Sequence, residues 1–326
     1  MSECRGSAEL LQNVTVAGCG TQGSQIASQI AYKGFHVTVW VRSEDSVERA
    51  KPRLETIKKQ YVEALDAWKN DPAAYCRGFS DNPELRSNEI DELKKTGIQN
   101  IESIRIETDY DKAFGNADVV IECINENPDE KKEFYEKLSS HLPEKTILLT
   151  DSSTFMPSNF MDYTGRPDKY LTLHFANQIW KNNLAEVMKT SKTSEDIFEL
   201  VQEFAKKIGM VPLKLFKEQP GYILNTLLIP WFKSALYLAA TGVSDPKTID
   251  LTWVLDTGAE EGQAPFRKLD KVGLPLAYKI MLMDPQSKVE GSSQQQICQY
   301  LKKYIDEGKT GIAAGEGFYK YTHYDE

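Results

Sequence analysis

Short apolar runs alternate with longer amphipathic stretches over the first half of the chain, and this alternation predicts strands at residues 14–17, 36–41, 104–108, 119–124 and 146–150. Runs of that length, each followed by a stretch of helical period, are the signature of parallel βαβ units. The stretch 24–33 reads as the first connecting helix. Between the second and third strands lies a long excursion, residues 44–101. Its first part, 46–68, is charged and helix-compatible. Pro72, Gly78 and Pro83 mark a loop, and residues 84–96 are helical again. Two readings of this excursion stand side by side: a solvated helical hairpin appended to the sheet, or an arm that helps hold an extended substrate.

A second βα-like region follows, with strands at 172–175, 185–188 and 211–215, a helix at 194–208, and Gly209 at the helix C-cap position. After Lys217 the pattern turns helical, punctuated by Gly242, Gly258, Gly273 and Gly291. The expected architecture is α/β: a doubly wound Rossmann-type sheet with a helical-hairpin arm, followed by an all-helical C-terminal domain. The domains are set at 1–217 (arm 44–101) for dinucleotide binding and 218–326 for substrate and dimerisation.

Composition narrows the class. The chain has 326 residues, 40% of them apolar and 27% charged, with a net charge of −9, which suits a folded protein of about two domains. The acidic balance argues against a nucleic-acid partner. Cys4, Cys19, Cys76, Cys123 and Cys298 form no C-x-x-C pair, so a reducing, cytoplasmic setting is expected. The first twelve residues carry no export signal. The longest apolar stretch, 222–240, is interrupted by Asn225, Pro230 and Lys233 and reads as a buried helix rather than a membrane span. No metal site is expected, because no histidines and acids are spaced as ligands.

The loop Gly18-Cys19-Gly20-Thr21-Gln22-Gly23 sits between the first strand and the first helix. There the glycines permit a tight turn, close approach to a pyrophosphate and close helix packing, so the loop reads as a dinucleotide-binding turn. Hydride chemistry beside a dinucleotide needs a group that exchanges the hydroxyl proton. Of His36, His141, His174 and His323, only His174 ends a strand beyond the nucleotide-binding strands. In isolation a lone histidine in an apolar strand is more often a core side chain, and the surrounding residues raise its standing. Asp151-Ser152-Ser153-Thr154 follows the fifth strand, where its hydroxyls serve either a substrate oxygen or a helix cap. Glu186, inside an apolar run, needs a partner if buried, and His174 is the natural one.

The ordered set Gly18 to Gly23, Glu122-Cys123-Ile124-Asn125-Glu126-Asn127, Asp151 to Thr154, His174-Phe175-Ala176-Asn177, Glu186-Val187-Met188-Lys189-Thr190, Pro220-Gly221-Tyr222-Ile223-Leu224-Asn225 and Gly315-Glu316-Gly317-Phe318-Tyr319-Lys320-Tyr321 resembles the L-3-hydroxyacyl-CoA dehydrogenases over residues 13–321. The resemblance implies interconversion of a 3-hydroxyacyl-CoA and its 3-oxo form with a nicotinamide cofactor. It implies His174 as general acid/base, Glu186 as its electrostatic partner, and Ser153 and Asn225 as substrate contacts. It also implies Glu126, Lys131, Asn177 and Lys309 as cofactor contacts, an arm that binds coenzyme A, and a homodimer.

Departures from the family pattern bear on specificity. Val41 stands where the family has its ribose-binding aspartate, so with Arg42 and Ser43 beside it NADP becomes an alternative to NAD. Ala176 and Gln178 replace an aromatic residue and a proline beside the histidine, and Ile312-Ala313-Ala314 interrupt the final glycine motif. Alternatives to the thioester substrate are a small non-CoA hydroxy acid, a diketo ester or a sugar acid, and a non-catalytic nucleotide-binding protein.

Overall fold

A computed structural model describes residues 11–321 of the chain; Cys4, His323 and most of the N-terminal stretch lie outside them. The described chain divides into two compact units, Met1–Ile223 and Leu224–Glu326. The division lies a few residues beyond the expected boundary at 217, because the link after the last strand still packs with the first unit: the Ser158 amide donates to Glu218, 2.8 Å.

The first unit is built on one eight-stranded sheet: β1 (Asn13–Ala17), β2 (His36–Trp40), β3 (Arg105–Glu107), β4 (Val119–Glu122), β5 (Ile147–Thr150), β6 (Tyr170–Phe175), β7 (Leu184–Lys189) and β8 (Val211–Leu215). Their order across the sheet is β3-β2-β1-β4-β5-β6-β7-β8. Strands β1 to β6 are parallel, as the alternation requires, while β7 runs antiparallel to β6 with His174 opposite Glu186. The chain reverses between them through residues 176–183. Order inverts at β1, whose neighbours are β2 and β4, and such a switch point at the strands' carboxyl ends is where open α/β sheets bind ligands.

The connections are α1 (Thr21–Tyr32), α2 (Glu44–Asn70), α3 (Ser87–Glu102), α4 (Tyr110–Phe114), α5 (Pro128–Ser139) and α6 (Glu195–Lys207). Helices α2 and α3 form the expected excursion, but they are not a free arm. Ile57, Tyr61, Leu65, Trp68, Ile90 and Ile101 join the core of the sheet, and the connector between the helices also packs inward through Cys76 and Phe79. Helix α1 is consequently buried from Gly23 to Tyr32, enclosed by the sheet on one side and by α2 and α3 on the other. Its buried polar residues Gln25 and Gln29 therefore need partners inside the protein.

The second unit is helical: most of α7 (Tyr222–Ala240), then α8 (Pro246–Thr257), α9 (Pro265–Val272), α10 (Leu274–Leu282) and α11 (Ser293–Asp306). Its core gathers Phe232, Leu236, Phe266, Leu269, Leu274 and Leu301. The final motif is pinned by two buried acids. Asp270 accepts from the amides of Phe318 and Tyr319 and from the Tyr321 hydroxyl, and Asp250 accepts from the Tyr319 hydroxyl. Ile312–Ala314 form a short 3-10 turn within this motif.

Helix α7 is long and apolar enough to cross a membrane by length and composition. It is not the buried helix that the sequence predicts: Leu236 is fully buried, but Leu227 is 69% exposed.

Candidate active site

The glycine turn is shaped as the motif requires. A Cβ on Gly23 would stand 2.2 Å from the Gly18 carbonyl oxygen, so only glycine lets α1 start this close to β1, whereas above Gly20 there is open space. The first amides of α1 have no partners within the helix and make a seat for an anion. This cradle fits a dinucleotide pyrophosphate, with Gly18, Gly20, Thr21, Gln22 and Gly23 as its walls. Gln22 also has a second engagement: its amide nitrogen donates to the Phe175 carbonyl at 3.0 Å, tying the turn to the end of β6.

At the end of β2, Val41 is buried in the same core cluster as Val39. The next side chain, Arg42, is 65% exposed and lies 3.5 Å from the Glu130 carboxylate in the first turn of α5. Behind it, Ser43 Oγ lies 3.0 Å from Ser46 Oγ, which accepts from Arg49 at 2.7 Å.

Beneath the loop that follows β4 sits a buried ion pair. Glu122 is fully enclosed and saturated: one carboxylate oxygen accepts from the Ile124 amide and Lys131 Nζ (2.7 Å), the other from Tyr135 and Thr150. Such a pair is tolerated in the interior only when its remaining hydrogen bonds are made. Lys131, expected to touch the cofactor, is thus enclosed (1% exposed) beneath Glu126, 3.7 Å away. The ion pair with Glu122 holds its side chain inward against the cost of desolvation. Glu126 is the exposed member: it accepts from the Ser152 hydroxyl at 2.9 Å and the Ser153 amide at 3.0 Å, fixing the hydroxyl loop.

Three of the expected catalytic residues converge. Ser153 Oγ lies 3.1 Å from His174 Nε2, and His174 Nδ1 lies 3.1 Å from Glu186 Oε2. The other oxygen of Glu186 accepts from the Ile223 amide at 2.8 Å. With Nδ1 donating to the Glu186 carboxylate, Nε2 is the ring nitrogen turned to Ser153. The pairing arises from β-sheet register, since His174 and Glu186 are direct cross-strand partners. Asp151, at the end of β5, is buried and accepts from the Phe175 amide at 3.0 Å. Burial pushes its carboxyl well above the usual carboxylate range, partly opposed by that amide and reinforced by Glu122 and Glu126.

The arrangement offers a hydrogen-bonding serine and an imidazole nitrogen side by side, next to the glycine turn. Asn177 is exposed just beyond His174. Asn225 and Lys309 belong to the second unit: Asn225 lies in the first turn of α7, and Lys309 Nζ lies 2.9 Å from Glu307 and 3.6 Å from Glu316. Among the described residues, no group of three or more His, Cys, Asp or Glu side chains could hold a metal. Of the other histidines, His141 pairs with Asp111 at 2.6 Å and His36 starts β2 at the opposite end of the strand from the glycine turn.

Family models describing the NAD-binding domain and the C-terminal domain of 3-hydroxyacyl-CoA dehydrogenase match residues 13–219 and 221–321. The chain belongs to the 3-hydroxyacyl-CoA dehydrogenase family. Its similarity to individual members is moderate. It is 30% identical over 316 residues to the mitochondrial hydroxyacyl-coenzyme A dehydrogenase of Rattus norvegicus, covering 96% of this chain and 92% of the relative. To the 3-hydroxybutyryl-CoA dehydrogenase of Bradyrhizobium diazoefficiens it is 25% identical over 314 residues, covering 96% and 97%. Among solved structures, a diketoreductase described in a study of dicarbonyl catalysis aligns with a TM-score of 0.79 at 41% identity, covering 95% of this chain and 99% of that one. FadB2 of M. tuberculosis shares the fold of this 3-hydroxyacyl-CoA dehydrogenase family member at a TM-score of 0.74 and 23% identity, covering 96% and 99%.

Sequence reasoning missed Tyr222. Its ring stacks on His174 at a centroid distance of 4.2 Å and 4° from parallel, and its hydroxyl donates to the Ser152 carbonyl. It stands inside the Pro220-Gly221-Tyr222 motif, but only the backbone turn there, with φ of +55° at Tyr222, brings the ring onto the imidazole.

Proposed function

We propose that this oxidoreductase interconverts a short-chain 3-hydroxyacyl-CoA and the corresponding 3-oxoacyl-CoA. The observation that carries the reading is the Ser153–His174–Glu186 line beside the glycine turn. When bound, a nicotinamide supplies the hydride acceptor. His174 Nε2 takes the 3-hydroxyl proton, Ser153 Oγ hydrogen-bonds the substrate oxygen, and Glu186 stabilises the imidazolium that forms. In reduction the same imidazolium returns the proton to the developing alkoxide. Asn225 is assigned to the substrate and Asn177 and Glu126 to the cofactor side.

A second reading, reduction of a small dicarbonyl compound without coenzyme A, is favoured by the 41% identity to a diketoreductase. The test is oxidation of reduced cofactor with acetoacetyl-CoA and, separately, with ethyl acetoacetate. Turnover of the thioester at the higher kcat/KM supports the first reading, and turnover of the ester alone replaces it with the second. No turnover with either rejects both in favour of a non-catalytic nucleotide-binding protein.

For the cofactor we propose NAD, with NADP accepted as well; the exposed Arg42, preceded by Val41 rather than an acid at the end of β2, supports the second. We also propose a homodimer through the helical unit, which exposes Leu251, Leu255 and Met283. Apolar surface of that kind favours a second copy. A monomeric mass by light scattering would reject it.

A further inference from the structure

Helix α1 carries a row of glutamines, Gln22, Gln25 and Gln29, at a spacing that places all three on one face. Each bonds main chain outside the helix. Gln22 donates to the Phe175 carbonyl at 3.0 Å. Gln25 donates to the Thr21 carbonyl at 3.2 Å and accepts from the Gln178 amide at 2.7 Å. Gln29 donates to the carbonyls of Gly78 and Ile208 at 2.9 and 2.8 Å and accepts from the Tyr61 hydroxyl at 2.6 Å.

Gln178 is the pivot of the turn that follows His174. Its φ is +55°, a left-handed conformation that a non-glycine residue seldom takes without external support. Its carbonyl accepts from the amides of both Lys181 and Asn182 at 2.8 Å, and the Asn182 side chain closes the turn on the Asn177 carbonyl at 2.7 Å. The bond to Gln25 is thus the support for the strained residue on which the turn is built. Its donor and acceptor lie at the two places that must be in register for hydride transfer: the segment leaving the catalytic histidine, and the first turns of the helix that seats the pyrophosphate.

We propose that Gln25 is a positioning residue that fixes the substrate-side turn 176–183 against the dinucleotide seat, by holding Gln178 in its left-handed conformation. The proposal rests on the oxidoreductase reading above. It assigns Gln25 no contact with substrate or cofactor. Its effect is therefore on the substrate KM, with cofactor affinity and the chemistry at His174 left in place.

The test compares Gln25→Leu, Gln25→Glu and the double variant Gln25→Leu/Gln178→Gly with the wild-type full chain. Kinetics use whichever of acetoacetyl-CoA or ethyl acetoacetate is turned over, the dissociation constant of reduced cofactor comes from fluorescence, and hydrogen exchange is followed in peptides spanning 175–183. In Gln25→Leu, KM for the oxo substrate rises about tenfold, kcat and cofactor affinity stay within about threefold, and exchange of the 175–183 segment accelerates, as expected when one buried acceptor is lost. Gln25→Glu keeps the acceptor and holds KM within about threefold of wild type. Glycine at 178 takes the left-handed turn unaided, so the double variant recovers most of the lost KM.

An unchanged KM and unchanged exchange in Gln25→Leu would overturn the proposal, as would equal losses of substrate and cofactor affinity. If the leucine variant does not fold, a tenfold KM rise in Gln25→Glu overturns it and a near-wild-type value supports it. Wild-type protein without turnover defeats the catalytic reading alone, because the exchange measurement still reports whether Gln25 holds the turn.

Discussion

The imidazole of His174 lies flat on the ring of Tyr222, 4.2 Å between centroids and 4° from parallel, while the Tyr222 hydroxyl is anchored on the carbonyl of Ser152. Glu186 fixes the imidazole at its Nδ1 edge and Tyr222 fixes it on its face, so the ring is held in the plane that aims Nε2 at Ser153.

Removing the stacked ring should therefore lower kcat. An aromatic contact contributes about 1 kcal/mol beyond its area, so Tyr222→Ala is expected to reduce kcat about fivefold. Tyr222→Phe keeps the stack and should stay within about threefold. Steady-state kinetics on both variants check this; an alanine variant with wild-type kcat would show that the ring does not orient the histidine.

His174→Ala removes the proton acceptor, and kcat should fall by roughly two to four orders of magnitude. Glu186→Gln leaves a group of the same shape that no longer stabilises the imidazolium, so a smaller loss is expected. Cofactor binding, followed by fluorescence, should be unaffected in both. A His174 variant with undiminished turnover would be incompatible with the proton-transfer role.

The exposed Arg42, 3.5 Å from Glu130, sets the cofactor prediction. Arg42→Asp replaces the guanidinium with an acid that repels a 2′-phosphate, so kcat/KM with NADPH should fall about tenfold or more relative to NADH. The ratio of the two efficiencies in wild type and variant is the measurement. If it does not move, the guanidinium points away from the ribose.

Asp151 provides a pH-dependent prediction. Its carboxyl is held well above the ordinary range by burial, so it stays protonated in the folded chain where the unfolded chain ionises near about 4. Its contribution to stability is fully present below the unfolded pKa and is lost as pH rises toward the folded one. Asp151→Asn retains the acceptor for the Phe175 amide and removes this dependence. Its melting temperature relative to wild type should rise between about pH 5 and about pH 8; a constant difference across that range would mean that the wild-type carboxylate is ionised in place.

Much of this was legible in the chain. The strands are short runs, and the alternation located all eight to within a few residues; in the central ones, burial on both faces leaves little room for polar interruption. The Ser153, His174 and Glu186 constellation was legible because one strand end, one loop and one partner strand carry it. Other features depend on tertiary packing that no local pattern encodes. The antiparallel turn before β7 follows from the path of residues 176–183. The polar face of α1 resembles a solvent-facing stripe in sequence, and becomes a row of internal anchors only because α2 and α3 fold over it. Tyr222 was visible as a letter in a motif, but its contact with His174 needs a left-handed backbone at a non-glycine residue, which composition does not announce.

The connector between α2 and α3 meets the turn after His174 at one point of near-contact: the Gly78 amide donates to the Trp180 carbonyl at 2.9 Å, and a Cβ on Gly78 would stand 2.6 Å from that same oxygen. Tyr61 of α2 packs its ring on the Trp180 indole at 4.9 Å. Any attempt to graft a new specificity loop onto this scaffold must therefore transplant two distant stretches of chain as a matched pair, since neither can be exchanged without a collision or a void at the other.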